Sequence, residues 1–229
     1  MVDSQVSLDG AVTQVATTNK DNGRGGAGKD SDRRLTILRA AVDVFARKGY
    51  HGCRIADVAS EAGVAYGLVY HYFKNKDELL QTVFDMGWGG FIQRITEALG
   101  RERSLAAQVR AVTDVAFEAY RHDPRGVRVL ILEIARSPAG GRVDRHGVFS
   151  EVLRIAADMF EQARARGELR EGLNPVLCAS MLFGALEMAL TASVLRLVDL
   201  SAPGAMEHAK EQVASTFLGG VLAPGLALR

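Results

Sequence analysis

Apolar residues along most of the chain recur at intervals of three and four, the spacing of one face of an α-helix. Leu35, Leu38, Val42 and Phe45 form the first such face, and Gly49 follows it at a place suited to a left-handed helix end. No long stretch alternates apolar and polar residues with a period of two, the pattern of a half-buried strand. The chain from residue 33 onward is therefore predicted to be all-α.

Capping residues, glycines and prolines divide this region into successive helices, because each marks a place where a helix can begin or end. After the first helix, the sequence predicts short helices at 55–62 and 66–72 and a long helix from Asn75 to Leu99. A helix opened by Ser104 follows, and then a shorter pair of helices that starts at Asp123 and reaches Ser137. The last three predicted helices run from Val148 to Gly167, from Asn174 to Asp199 and from Pro203 to Gly219. No internal repeat is evident in this series.

The first 32 residues, 1–32, have a different composition. They are rich in Gly, Ser, Thr, Asn and Asp and show neither helical nor strand periodicity, so this segment is predicted to be disordered. Its three basic and five acidic residues give a charge of −2, which argues against a basic arm for DNA. Gly23–Lys29 matches the phosphate-binding pattern G-x-x-x-x-G-K, but Asp30 replaces the Ser or Thr that would bind Mg²⁺, and no apolar strand precedes it. A P-loop nucleotide-binding protein is therefore a disfavoured alternative.

Charge is distributed unevenly along the rest of the chain. Residues 33–76 hold eight basic and three acidic residues, whereas the whole protein has a net charge of only +1. A nearly neutral protein with one basic end is the layout expected when only that end meets phosphate.

The stretch Ile55–Phe73 has the spacing of a helix-turn-helix. Ile55 and Val58 form the inward face of its first helix, Gly63 permits a left-handed turn, and Val69 anchors the second helix. The residues that remain outward on the second helix are Tyr66, Gly67, Tyr70 and His71.

A longer set of residues around this motif stands in the register of a known family. The set comprises Ile37-Leu38, Ala40-Ala41, Val44-Phe45-Ala46, Lys48-Gly49-Tyr50, Ile55, Val58-Ala59, Ala62-Gly63-Val64, Gly67, Tyr70, Tyr72-Phe73, Lys76 and Glu78-Leu79-Leu80. In these residues the chain resembles the DNA-binding domain of the TetR family of bacterial transcriptional regulators. The resemblance implies an all-α fold with an N-terminal three-helix helix-turn-helix DNA-binding domain, placed at 33–76, and a C-terminal helical ligand-binding and dimerisation domain, placed at 77–222.

The resemblance also implies that the third helix enters the major groove and that the lysine at the position of Lys76 contacts a backbone phosphate. With the outward positions above, the predicted DNA-contacting residues are Arg54, Ala65, Tyr66, Gly67, Tyr70, His71, Lys74 and Lys76. The family usually has Ser or Thr at 53, 54, 65 and 68, and often Lys or Arg at 66. Tyr66 and Leu68 therefore favour apolar contact, as with thymine methyl groups, over bidentate reading of guanine. Tyr72 is assigned to the core of the small domain.

The helical half is predicted to bind a small lipophilic effector. Its segments 128–137 and 183–188 are similar to the acyl-CoA-responsive, fatty-acid-degradation branch of the family, which makes an acyl-CoA one candidate effector. The predicted ligand-binding residues are Glu133, Met159, Phe160, Phe183, Glu187 and Met188. Each has an alternative interpretation: Glu133 is three residues from Arg136 and suits a surface ion pair, and the methionines and phenylalanines suit ordinary core.

Gly87, Gly89 and Gly90 lie inside the fourth helix, where each glycine costs about 1 kcal/mol relative to alanine. Two interpretations are open for this glycine segment. It is either a close contact with a neighbouring helix or a hinge between the DNA-binding and ligand-binding halves.

The sequence thus predicts a cytoplasmic regulator, a repressor by family default, that binds a palindromic double-stranded DNA operator as a homodimer and is released by its effector. A non-switching DNA-binding protein is the alternative. No catalytic constellation, cofactor or metal site is expected, since the histidines are scattered and the two cysteines have no zinc-ligand spacing. No membrane association is expected either, because the most apolar segment, 175–198, is interrupted by Glu187 and Arg196.

Overall fold

The computed structural model of the protein describes residues 27–134 and 145–225, and side chains within 29–131 and 150–225. Its helices are α1 Ala27–Gly52, α2 Ile55–Ala62, α3 Tyr66–Tyr72, α4 Lys76–Arg101, α5 Leu105–His122, α6 Pro124–Arg128, a π-helical segment Val129–Ile134, α7 Arg145–Ala165, α8 Pro175–Val194 and α9 Ala205–Val221. In these ranges the only extended pairing is an isolated antiparallel bridge between Leu169 and Leu222. The all-α prediction is confirmed.

The described residues form two compact units. The first consists of those within Met1–Gly90 and His122–Val143, and the second of those within Phe91–Arg121 and Asp144–Arg229. The sequence-based boundary at residue 76 marks the start of α4. The first unit continues along α4 to Gly90 and adds α6 with the π-helical segment.

The first helix begins earlier than the sequence predicts. Residues 27–32, assigned to the disordered segment, are the first turns of α1. Asp30 lies in the first turn, where a negative charge complements the helix dipole, and its carboxylate accepts a hydrogen bond from the hydroxyl of Tyr72. Thr36 Oγ1 donates to the carbonyl of Asp32 at 2.8 Å. Gly23–Lys29 lies across this boundary: its first four residues are outside the described part of the chain, and the last three are helical.

The core of the first unit is built where the periodicity placed it. Ile37, Val44 and Phe45 on α1 and Val58 on α2 are fully buried. Gly63 ends α2 in the left-handed conformation (φ 65°, ψ 31°), and the N–H of the next residue returns to the carbonyl of Ala59 at 3.0 Å. Because this turn satisfies the last carbonyls of α2, the chain reverses tightly into α3.

Two ion pairs join α1 to α2. Arg47 lies 2.6 Å from Glu61, and Lys48 lies 2.8 Å from Asp57. The hydrogen bond from Lys48, followed by one from the backbone N–H of Arg54, lowers the pKa of Asp57. Two of the eight cations counted in this basic region are therefore matched by anions of the same region.

The pair of helices predicted after Asp123 is observed as α6 and the π-helical segment, and both belong to the first unit. Asp123 caps α6 by accepting from the N–H of Gly126, as predicted, but regular α-helix ends at Arg128 and a π-helical segment follows. Arg125 forms an ion pair with Asp43 of α1 at 2.5 Å, and Arg128 Nε donates to the carbonyl of Ala46 at 3.2 Å. The sequence gives no sign of these contacts, because their partners are 82 residues apart.

The glycine segment of α4 is packed at one end and open in the middle. A Cβ atom on Gly87 would lie 2.9 Å from Cδ1 of Leu130 in the π-helical segment, closer than real Cβ contacts. A Cβ atom on Gly89 would have no heavy atom within 4 Å. Gly87 therefore fits the packing interpretation, and the hinge interpretation is left with Gly89 and Gly90.

In the second unit, α7 packs along α8, where Phe160, Ala179 and Leu182 are buried, and Phe217 of α9 lies 5.9 Å from the Phe160 ring. Asn174 caps α8 by accepting from two backbone N–H groups, as predicted. α8 ends at Val194 rather than Asp199, and α9 starts after Gly204 and runs through the predicted stop at Gly219 to Val221.

A buried lysine connects α5 and α9. Lys210 of α9 lies 2.8 Å from Asp114, 2.5 Å from Glu118 and 3.1 Å from Glu207, and its side chain is only 10% exposed. Burial alone would lower the pKa of Lys210, but hydrogen bonds with these three carboxylates outweigh it and raise the pKa. Arg121 also contacts Glu118 and Glu207. The two helices are thus connected by a charge network in which Lys210 is the buried cation and Arg121 a second, more exposed one.

Candidate nucleic-acid interface

Helix α3 presents one buried face and one open face. Val69 is fully buried and Leu68 is half-buried, so they hold the helix against the core of the first unit. Tyr66 and Tyr70 are 53% and 44% exposed, and Gly67 and His71 are exposed beside them. The structure therefore brings together on one surface the four outward residues of the sequence analysis, and Ala65, exposed, precedes them as the N-cap.

The two tyrosines of this surface are in contact. Their hydroxyl oxygens are 3.2 Å apart, within hydrogen-bond distance. Their ring centroids are 5.2 Å apart at an interplanar angle of 68°, an edge-to-face arrangement that aromatic pairs favour. The rings consequently form a single raised feature on α3, which we call the tyrosine pair.

Lys76 is oriented differently from the phosphate-contacting side chain that the resemblance implies. Its ammonium donates to the carbonyls of Tyr50 at 2.7 Å and Cys53 at 2.9 Å, and it lies 4.2 Å from the centre of the Tyr50 ring. The Tyr50 carbonyl lies at the C-terminal end of α1, where cations are favoured, and the Cys53 carbonyl lies just before α2. A lysine has three N–H donors, so one is left for a phosphate. Replacing Lys76 by alanine would therefore remove the hydrogen bonds that join the start of α4 to the end of α1 and to the chain before α2.

Tyr50 completes the same junction. Its hydroxyl donates to the carboxylate of Asp77 in the first turn of α4. Burial, and secondly this hydrogen bond, raise the pKa of Tyr50 to about 12. Burial likewise raises the pKa of the neighbouring Cys53 thiol, which keeps it protonated and unreactive at neutral pH.

Tyr50→Phe is expected to lower the stability of the first unit at neutral pH and to have no effect at strongly alkaline pH. A phenol whose pKa is raised on folding stabilises the folded state below its unfolded pKa of about 10 and loses that contribution as the pH rises through the folded value. The expected difference between wild type and variant is about 1–2 kcal/mol near pH 8 and close to zero near pH 12. Urea unfolding across this pH range measures it, and a difference that does not change with pH would contradict the assignment.

The remaining predicted DNA-contacting residues flank α3. Arg54 precedes α2 with an exposed side chain, and its backbone N–H is held by Asp57 at 2.9 Å. Lys74 follows α3, is exposed, and donates its backbone N–H to Glu78 at 2.7 Å. Both cations are thus exposed, Arg54 at the start of α2 and Lys74 directly after α3. Tyr72, assigned to the core, is half-buried and reaches Asp30 instead.

The predicted ligand-binding residues are not all brought together. Met159 and Phe160 are buried between helices of the second unit, whereas Phe183 and Glu187 are half-buried on α8. Met188 is 66% exposed on the opposite side of α8 from the core. The side chain of Glu133 lies outside the described residues, as does Arg136. Among the described residues, no group of three or more His, Cys, Asp or Glu could hold a metal ion.

α8 is also the one described helix whose length and composition would allow it to cross a membrane. In its most apolar stretch of 18 residues, a third is buried inside the protein. A buried core helix can have the same length and apolar composition, so α8 is weak evidence for a membrane span.

Two family profiles match consecutive parts of the chain. Residues 37–83 match "Bacterial regulatory proteins, tetR family", and residues 84–204 match "YsiA-like protein, C-terminal region". The first match contains α2, α3 and the tyrosine pair. The second match covers most of the helical region that follows in the chain.

Individual relatives agree with both matches. The fatty acid metabolism regulator protein of Bacillus subtilis (strain 168) is 30% identical over 161 residues, which cover 70% of this chain and 83% of the relative. The solved structure of the transcriptional regulator FadR from Bacillus subtilis, in complex with stearoyl-CoA, is 27% identical with a TM-score of 0.74 and covers 81% of this chain and 98% of that one. The structure of FadR from Bacillus halodurans is 24% identical with a TM-score of 0.75, and the match covers 88% of this chain and 98% of that one. The two proteins share the fold. The chain therefore belongs to the TetR family of bacterial transcriptional regulators.

Proposed function

We propose that this regulator represses transcription by binding a palindromic operator as a homodimer in the cytoplasm, and that a long-chain acyl-CoA releases it. The observation that carries the effector assignment is the likeness to the stearoyl-CoA complex, which matches over 98% of its length and so includes its ligand-binding half. The 30% identity to a fatty acid metabolism regulator points to the same class of molecule. The effector is an amphiphile with an acyl chain and a phosphorylated head.

Two heads are needed because a single α3 of seven residues can reach only a few base pairs. An exposed apolar stripe on α8 supports self-association through the second unit. Leu177, Met181, Gly184 and Met188 recur at helical spacing and are all exposed in the isolated chain. An apolar stripe of this kind on a charged protein marks a protein–protein contact. We assign it to a second copy of this chain, as the helical domain of a two-headed DNA-binding protein requires.

The test measures operator binding by the full-length protein in the presence of stearoyl-CoA, coenzyme A, stearate and acetyl-CoA. We expect stearoyl-CoA to weaken binding at least tenfold, and coenzyme A and acetyl-CoA to have little effect, because most of the binding energy comes from the buried acyl chain. Fluorescence of the sole tryptophan, Trp88, gives an independent titration of ligand binding.

Each outcome distinguishes a different function. Release by stearate as strongly as by stearoyl-CoA would replace the thioester by the free fatty acid as effector. Unchanged operator binding with every compound, together with unchanged Trp88 fluorescence, would favour the alternative of a DNA-binding protein that does not respond to acyl chains. Transcription in vitro from the operator-bearing promoter tests repression, which an increase in transcript would contradict.

A further inference from the structure

The open face of α3 lacks the side chains that usually read bases. Its sequence, Tyr66 to Tyr72, contains no Arg, Lys, Asn or Gln. Those four residue types make the bidentate hydrogen bonds by which proteins identify guanine and adenine in the major groove. Sequence reading by this helix must therefore use single hydrogen bonds and apolar contact. The apolar feature that the major groove offers is the C5-methyl group of thymine.

Gly67 leaves a notch on this face. It is exposed, and a Cβ atom placed on it would have no heavy atom within 4 Å. Tyr70 and His71, three and four residues further on, lie on the same side of the helix and border the position. The backbone at Gly67 is thus open to close approach on the side of α3 that carries Tyr70 and His71.

The tyrosine pair adjoins this notch as a preformed aromatic wall, because Tyr66 directly precedes Gly67 and Tyr70 follows it by three residues. The hydroxyl contact at 3.2 Å and the edge-to-face packing hold each ring against the other before DNA arrives. Tyrosine has few side-chain torsions to order, so such a wall costs little conformational entropy on binding. The contact between the hydroxyl groups uses one of their two protons.

We propose that the notch at Gly67 receives the methyl group of one thymine in each operator half-site, packed between the α3 backbone and the tyrosine pair. Gly67 supplies the space for the methyl group. Tyr70 supplies the apolar contact, and Tyr66 is a positioning residue that holds Tyr70 in place. The inference rests on the DNA-binding role of the family and is independent of the effector.

The first experiment removes only the methyl group. An operator is selected from randomised duplexes with the full-length protein, and each thymine of its half-site is replaced in turn by deoxyuridine. At one symmetric position we expect binding to weaken about fourfold when one half-site is changed and about fifteenfold when both are changed, the effect of one and two buried methyl groups. All affinities are compared at one salt concentration, because phosphate contacts make binding strongly salt-dependent.

Variants of the notch then change the preference in a defined way. Gly67→Ala places a methyl group of its own in the notch, so the variant is expected to bind the deoxyuridine operator at least as well as the thymine operator. Tyr66→Ala releases Tyr70, and is expected to bind both operators equally. Alanine favours helix over glycine, so Gly67→Ala should unfold at a temperature no lower than wild type.

Lys74→Ala is the matched control, since it removes a charge next to α3 without touching the notch. It is expected to weaken binding to all duplexes alike, to reduce the salt slope by about one, and to keep the thymine preference. Two results would overturn the proposal: no thymine whose replacement by deoxyuridine weakens wild-type binding, or an unchanged thymine preference in Gly67→Ala.

Discussion

Met188→Glu is expected to convert the proposed dimer into a monomer and to weaken binding to a palindromic operator at least about a hundredfold. Met188 is 66% exposed in the isolated chain, so the substitution leaves the fold of the subunit intact. At the proposed contact between copies, it would bury a carboxylate from each subunit without a partner, which costs several kcal/mol. Sedimentation velocity measures the oligomeric state, and titration of the full operator and of an isolated half-site measures the loss of two-headed binding.

Gln162→Glu is the control, because it adds the same charge at an exposed position of α7. It is expected to remain dimeric and to bind the operator like wild type. The pair of variants also separates two assignments of Met188. If this residue lines the effector site, as the sequence analysis predicted, Met188→Glu should stay dimeric and lose the response to acyl-CoA.

Lys210→Met is expected to destabilise the second unit by about 1–3 kcal/mol. The substitution keeps most of the side-chain volume but leaves Asp114, Glu118 and Glu207 facing one another without their shared cation. Removing one member of a buried ion pair costs most where the charge that remains is poorly solvated, as Glu118 is at 25% exposure, and less for the exposed carboxylates of Asp114 and Glu207. Urea unfolding of the full chain measures the loss.

The adjacent residue offers a matched comparison for Lys210. Glu211→Gln removes an ion pair between Glu211 and Arg110 in which the Glu211 carboxylate is largely exposed. Exposed ion pairs of this kind contribute about 0–1 kcal/mol to the free energy of unfolding. Lys210→Arg, which keeps the charge, is expected to recover most of the stability. Equal losses for Lys210→Met and Glu211→Gln would show that the network around Lys210 is no stronger than a surface pair.

Local signals in the sequence predicted most helix boundaries in the first unit and the start of α8. Apolar spacing identified the buried faces of α1 and α2, Gly63 took the left-handed conformation that the turn requires, and Asn174 caps α8. These features depend on residues within one or two turns of one another. Periodicity and capping rules describe interactions at this range.

Longer-range features could not be predicted in the same way. The inward orientation of Lys76 depends on carbonyl groups more than twenty residues earlier in the chain, and a motif gives only the position of a lysine, not the direction of its side chain. The exposed stripe on α8 is invisible to periodicity, because this helix is apolar on nearly all sides. Methionine and phenylalanine predict a ligand-binding position only by residue type, and the exposed Met188 shows that the same type suits an outer surface.

The junction formed by Lys76 has a consequence for how the protein could evolve. This one ammonium group ties the end of α1, the chain before α2 and the start of α4, and so encloses α3 between two anchored points. We therefore expect α3 to move with the start of α4 rather than independently of it. Mutations that abolish release by the effector would then leave the operator preference of α3 unchanged. Conversely, substitutions on α3 could change which operators are bound without loss of the response to the effector.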